Sequence, residues 1–443
     1  ISEMLLLSRL LVLLAFWQAA QTSARFSGTE PFIDEPFIDV IDENYSDKLK
    51  EEIREALKTF DANTCLKYKE DYGPGLKLEY KLVEKGCEGE VGRSSNWNTT
   101  VSLEAGCTHK IAIQHETMHT LGFRHTQARF DRDDYVTVSE EFKPKRNYLK
   151  VTIPNNYGIP YEYHSLLHSS ASINMQPKDR DYVNSMWGTR MTFNDWKVIN
   201  MHYKCNETCA PETKCYNGGY QHPHDCTKCV CPHFFKGARC EESRHPINLT
   251  PGQITPLNYG WVFNQTAKNA EIDDEDFFDK SPAHVIKAPE GTKIRITIIN
   301  INDPYSKRDT NPDKRCNNYG LEVVDADLTM VGKRFCSITR NGYSFLSKTN
   351  VIGFYAYSFP GWGFFGNATF AVEGTPAEPI TTTTLAPTTQ TKTTTTTEPT
   401  TTVKPITTTT TVKPVTTTTA PATTTNPTVT TTSAKPADDV CEY

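Results

Sequence analysis

The chain has 443 residues, 37% of them hydrophobic, with 47 Lys and Arg against 53 Asp and Glu and a net charge of −6. That length exceeds the usual single core, so two or more are expected once non-globular ends are set aside. The mild acidity, with no dense basic block, excludes nucleic acid as a partner.

In chain order, the first segment is MLLLSRLLVLLAFWQAAQTSA, Met4 to Ala24. Arg9, an apolar run through Trp17 and small residues before a cut after Ala24 predict a secretory signal over residues 1–24. The competing reading is a membrane span. Ser8 and Arg9 interrupt the run and leave too few apolar residues to cross a bilayer, so no transmembrane anchor is expected. Because the sequence opens on Ile1, either Met4 is the true start or the N-terminus is misassigned. The 13 cysteines agree with an oxidising, extracellular address, as do the sequons at Asn44, Asn98, Asn206, Asn248, Asn264 and Asn367.

The stretch IQHETMHTLGFRHTQARFDRD, residues 113 to 133, carries the chemistry. In a helix His115 and His119, four apart, share a face and can offer two imidazoles to one ion, with Glu116 beside them. Gly122 supplies the left-handed conformation that ends a helix cheaply, and the reversal can bring back His125 as a third ligand. Three protein ligands leave a zinc position for water, the arrangement of catalytic sites, whereas structural sites are filled by four side chains. A bare HExxH also arises by accident on amphipathic helices. The glycine and the third histidine at these spacings separate the metal reading from that accident. A later segment, YHSLLHSS from Tyr163 to Ser170, bears on how well such a site works.

Cysteine spacing divides the rest of the chain. Cys65, Cys87, Cys107 and Cys205 are widely spread, as in a large domain closed by long-range bridges. Cys209, Cys215, Cys226, Cys229, Cys231 and Cys240 crowd into a segment too short for a core of its own, so crosslinks must hold it. Spacing alone does not choose among their pairings. From about Arg244, HVIKAPEGTKIRITIINI and FLSKTNVIGFYAYSF alternate apolar and polar residues around turns, which predicts an antiparallel β-sandwich. Over residues 376–440 threonine dominates, with TTVKP at Thr401 and again at Thr410. Such a segment lacks the apolar side chains that offset ordering and reads as a disordered stalk, O-glycosylated or a bare linker. Cys441 makes the cysteine count odd and is left to pair with another chain or to stay free.

HETMHTLGFRHTQARFDRDDYV resembles the signature of the astacin family of zinc endopeptidases, HExxHxxGFxHExxRxDRDxYV. The resemblance implies one Zn2+ per chain held by His115, His119 and His125, with Glu116 as catalytic general base. It extends over residues 31–205. EPFIDVIDENYSDKLKEEIREALKTFDANTCLKY resembles the family's opening strand and helix, and WGTRMTFNDWKVINMHYKC its closing helix. The implied fold class is α+β: a metzincin-type protease domain with a twisted mixed sheet, long helices and a cleft between two lobes. The implied bridges are Cys65–Cys205 and Cys87–Cys107.

CVCPHFFKGARC resembles an EGF-like module over residues 206–241, implying Cys209–Cys226, Cys215–Cys229 and Cys231–Cys240. APEG, RFC at Arg334 to Cys336 and the late aromatic strands resemble a CUB domain over residues 244–373, implying Cys316–Cys336. CNNYGLEV lacks the aspartate of calcium-binding members, so no calcium is expected there. This domain order resembles secreted nematode members of the family. It implies protein substrates among extracellular matrix, cuticle or host proteins.

Three departures qualify this. Thr126 stands where the family has a glutamate that anchors the activated N-terminus. The propeptide is nearly missing, with no FxGD motif, and Asp34 is a poor substitute for an inhibitory ligand. Leu167 and Ser169 replace the Met and Tyr of the family's Met-turn. Methionine to leucine costs less than about 1.5 kcal/mol. Losing the tyrosine removes an oxyanion donor, typically about 10²–10³ in rate, against enzymatic accelerations of roughly 10⁶ or more. A zinc peptidase of reduced turnover is therefore expected. The alternative is a zinc-stabilised adhesion or matrix-binding protein acting through its EGF-like and CUB modules.

Overall fold

The computed structural model describes residues 37–376 apart from 95, 108, 152–155, 210–211, 264–281, 303–315 and 359–362. The signal stretch, Asp34, Asn264, Cys441 and the threonine-rich stretch from 377 onward lie outside the described residues.

The first part is built on five strands: β1 (Phe37–Ile41), β2 (Tyr68–Glu70), β3 (Leu78–Leu82), β4 (Cys87–Gly89) and β5 (Thr99–Leu103), in the order β2-β1-β3-β5-β4. All neighbours are parallel except β4, which runs antiparallel to β5 and forms an edge of the sheet. Helix α1 (Asp47–Asn63) starts where the Ser46 side chain accepts the Leu49 N–H, and it buries Ile53, Ala56, Leu57 and Phe60. That spacing makes one apolar face, the amphipathic stripe a sheet-covering helix needs. Helix α2 (Lys110–Thr120) is covered nearly all round, consistent with its place at the centre of the domain. The second lobe holds little regular structure: a hairpin of β6 (Val136–Val138) with β7 (Met175–Pro177), and helix α3 (Phe193–His202). A Thr192/Asp195 capping box starts α3. Cys65 is bonded to Cys205, fastening the end of α1 to the end of α3, and Cys87 is bonded to Cys107, fastening β4 to the turn before α2.

Bridges Cys209–Cys226, Cys215–Cys229 and Cys231–Cys240 hold the small segment between the first part and the sandwich. It carries two hairpins, β8 (Tyr220–Gln221) with β9 (Cys229–Val230) and β10 (Phe235–Lys236) with β11 (Glu242–Ser243).

The last part is a two-sheet β-sandwich. One sheet joins β12 (His245–Asn248), β14 (His284–Lys287), β19 (Val351–Ser358), β16 (Tyr319–Val324) and β17 (Lys333–Phe335); the other joins β13 (Ile254–Phe263), β20 (Gly363–Glu373), β15 (Lys293–Asn302) and β18 (Ser344–Leu346). Along β15 Ile294, Ile296 and Ile298 point inward, and an irregularity between Ile298 and Asn300 keeps Ile301 inside as well. The predicted antiparallel pattern holds except at β12, which pairs with β14 in parallel as an added edge strand. Cys316 is bonded to Cys336.

The boundaries that cysteine spacing suggests are not boundaries between cores. Phe234, Phe235 and Cys240 of the small segment belong to the same buried cluster as Ile286, Phe354 and Phe370 of the sandwich. A Cβ on Gly353 would meet the Phe234 ring at 2.4 Å, so β19 gives up a side chain to let that ring in. Residues too few for a core of their own have borrowed one.

Candidate metal centre

Helix α2 delivers two histidines and then stops. Gly122 has φ of +96°, its N–H donates to the His119 carbonyl at 2.9 Å, and the Phe123 N–H donates to the Met118 carbonyl at 3.2 Å. This is a Schellman cap, and Met118 and Phe123 make its usual apolar contact within one cluster. The reversal turns His125 back toward the helix: the His115–His119, His119–His125 and His115–His125 ring centroids lie 4.9, 4.8 and 5.3 Å apart. The three offer ligand nitrogens that all lie within 4.8 Å of one another. Predicted from spacing alone, this convergence is what the fold produces.

The donor set fits zinc. The His115 Nδ1–H donates to the Leu166 carbonyl at 2.8 Å and the His119 Nδ1–H to the Phe123 carbonyl at 2.7 Å. Each bond fixes the tautomer and leaves the Nε2 lone pair to serve as metal ligand, the usual outer support of a metal-bound histidine. His115 Nε2 and His125 Nε2 are 3.2 Å apart. That is close to the edge of a tetrahedron with metal–nitrogen bonds of about 2.0–2.1 Å. Burial pushes His115 and His119 down to about 4 and His125 well below its ordinary value. All three are neutral at neutral pH, the form that binds a metal. One other group among the described residues has metal-like spacing, Cys87, Glu104 and Cys107, but its cysteines are bonded to each other.

Glu116 is 1% exposed, and its Oε2 accepts the Gly89 N–H at 2.6 Å. Gly89 must be glycine, because a Cβ there would lie 2.2 Å from the Glu116 carbonyl oxygen. Strand β4 is thereby pressed onto the histidine helix. An open cleft is lined by Gly89, Glu116, His119 and His125, together with Arg124 and Arg146. Arg146 donates to Glu88 at 2.7 Å, bringing the second lobe against β4.

The turn from Tyr163 to Ser169 backs this centre. Leu167 is buried with Met118, Leu121 and Leu166, and its carbonyl accepts the N–H of Thr126, the residue after His125. Ser169 is held by Gln127: the Ser169 N–H donates to Oε1 at 3.1 Å and Oγ accepts from Nε2 at 2.6 Å. The lining of the cleft includes neither Leu167 nor Ser169. Gln127 is fully buried, and Arg132 in turn donates to the Gln127 carbonyl at 2.8 Å. Sequence reasoning missed Gln127, Gly89, Arg124 and Arg146. Gln127 lies inside the histidine motif two places after His125, but only the fold pairs it with a residue 42 positions away.

The described sequon asparagines are spread widely. Asn44 donates its amide to Asp42, and Asn98 donates to Glu79 and accepts from the Lys77 N–H. Asn206 and Asn248 are exposed, and Asn367 sits within β20.

Residues 33–204 match the model of the peptidase family described as Astacin. The chain is 30% identical over 302 residues to zinc metalloproteinase nas-32 of Caenorhabditis elegans, covering 64% of this chain and 44% of that relative. It is 29% identical over 331 residues to zinc metalloproteinase nas-27 of the same organism, covering 67% and 73%. The chain therefore spans less than half the length of one of these relatives and nearly three quarters of the other. A solved structure, High choriolytic enzyme 1, a hatching enzyme zinc-protease from Oryzias latipes, is 29% identical, covering 38% of this chain and 88% of that one, with a TM-score of 0.34. No helix among the described residues is long and apolar enough to cross a membrane. The histidine geometry and the family match fall on the same residues, so 33–204 carry a domain of the astacin family of peptidases.

Proposed function

We propose that this chain is a secreted, zinc-dependent metalloendopeptidase that hydrolyses peptide bonds in protein substrates with reduced turnover. The observation that carries the reading is the convergence of three neutral imidazoles beside one buried carboxylate at the floor of an open cleft. His115, His119 and His125 hold one Zn2+. When bound, the ion supplies Lewis acidity, polarising a carbonyl and acidifying water toward a pKa of about 7.

The chain's own residues do the rest. Glu116, next to the first ligand, takes the proton of the attacking water and passes it to the leaving amine nitrogen. Gly89 holds that carboxylate in place through its N–H. Strand β4, paired on one side with β5, offers its other edge to an extended peptide. Ser169 does not line the cleft, and its short hydroxyl gives no oxyanion donor there, so the rate is lowered by the roughly 10²–10³ that one donor supplies. In this reading residues 206–241 are an EGF-like module and 244–373 a CUB domain, and matrix, cuticle or host proteins are the substrate classes. Crosslinks and sequons support secretion.

The test is cleavage of denatured casein by the full chain. Slow, chelator-sensitive cleavage is expected, with Glu116→Ala silent although zinc-loaded. Equal inertness of both chains would refute the enzymatic reading.

A further inference from the structure

The strongest unassigned feature is a buried polar seam between the sandwich and the turn behind the histidines. Arg334 of β17 is 1% exposed. Its Nε donates to Glu322 of β16 at 2.8 Å and its Nη1 to His164 Nε2 at 3.1 Å. His164 Nδ1–H donates to the Ser185 carbonyl at 2.9 Å, so its tautomer is fixed by both partners. The Ser185 hydroxyl donates to the Gly332 carbonyl at 2.7 Å and accepts the Arg334 N–H at 3.1 Å. Beside them Glu162 accepts N–H groups from both parts, that of His164 and that of Val331, each at 3.1 Å.

These contacts converge on one turn. Residues 162–164 take the load from the sandwich, and residues 165–166 are held by Asp195 of α3, which accepts from the Ser165 hydroxyl and the Leu166 N–H. From the same turn the Leu166 carbonyl accepts the His115 Nδ1–H, and the Leu167 carbonyl accepts the Thr126 N–H beside His125. A buried ion pair contributes little net stability, but its directed hydrogen bonds fix geometry; here Arg334 Nε and Nη1 are engaged, while Nη2 has no partner among the described residues. Groups that orient a metal ligand from outside tune affinity for the metal.

We infer that the sandwich is a working part of the zinc site: Arg334 is a positioning residue that holds the 162–168 turn, and through Leu166 it sets the orientation of His115. The inference rests on the zinc reading above. The two fail separately, since failure of the zinc reading appears in the unaltered chain and failure of this one appears only in variants.

The experiment measures zinc affinity of the full chain by competition with a chromogenic chelator. Arg334→Met combined with Glu322→Gln leaves no buried charge unpaired, and Ile352→Val loosens the same sandwich core without touching the turn. Zinc affinity is expected to fall about 10-fold or more in the double variant, the scale of lost outer support, and to stay within about twofold of wild type in Ile352→Val. The cobalt(II)-substituted double variant should also show an altered visible spectrum. Should the double variant not fold, Ser185→Ala, which cuts the Gly332 and Arg334 bonds, carries the same expectation. A folded variant with unchanged zinc affinity and spectrum, or an equal loss in Ile352→Val, overturns the inference.

Discussion

At the scale of single residues, Ser169 and the buried histidines decide most of the behaviour. Replacing Ser169 by tyrosine restores a phenol where the family has one, and about a 10²-fold rise in kcat is expected. The same change strips Gln127 Nε2 of its acceptor in a fully buried place. Leaving such a donor unpaired costs about 1–3 kcal/mol. The variant should thus be faster and melt lower; a lower Tm with no gain in kcat contradicts the role given to this position. Burial also holds His168 down to about 4, and burial with the neighbouring Arg334 holds His164 well below its ordinary value. The unfolded chain takes up these protons near pH 6.5 and the folded chain refuses them, so stability present above pH 6.5 is lost as pH falls toward 4. His168 alone accounts for on the order of 3 kcal/mol. Scanning calorimetry of chelator-treated chain should show Tm falling steeply from pH 6.5 to 4, with the three stripped ligands adding the same sign. A flat or rising Tm over that range contradicts it.

At the scale of elements, the histidine helix shows what a sequence can disclose. Its two ligands and its stop at Gly122 are local, set by a four-residue spacing and one positive φ, and they are legible without a fold. Gly122→Ala meets only His202 Nε2 at 3.8 Å, so its cost is conformational, about 1–2 kcal/mol. A Tm drop of that size with weakened zinc binding is expected, and an unchanged Tm would mean the reversal does not depend on glycine. The closing helix α3 and the alternation along β15 are equally local. Pairing at a distance is not legible in this way. Nothing near Gly89 says that the Glu116 backbone will lie against it, and nothing near Gln127 names Ser169. Nor does the β12 stretch announce a parallel partner, because pairing direction depends on which strand the chain meets after folding.

At the scale of the whole molecule, domain signals in the sequence describe segments and not independent cores. The crosslinked segment shares a core with the sandwich through Phe234, and the sandwich shares a buried hydrogen-bonded seam with the first part through Glu162, Ser185 and Arg334. Such coupling predicts that the described residues unfold in one calorimetric transition, with calorimetric and van't Hoff enthalpies in agreement. Two resolved transitions would show that the seam is weak. It also explains why sequence patterning, which counts apolar residues, finds the modules but passes over their joints, since the joints are made of Arg, Glu, His and Ser.

All of this chemistry depends on His115, His119 and His125 holding a single zinc ion beside Glu116. The deciding experiment is the metal content of folded chain after dialysis in zinc-containing and then metal-free buffer, with His119→Ala alongside. One zinc per wild-type chain and none retained by the variant are expected. A folded wild-type chain free of zinc, or a variant that keeps the same amount, would overturn the assignment.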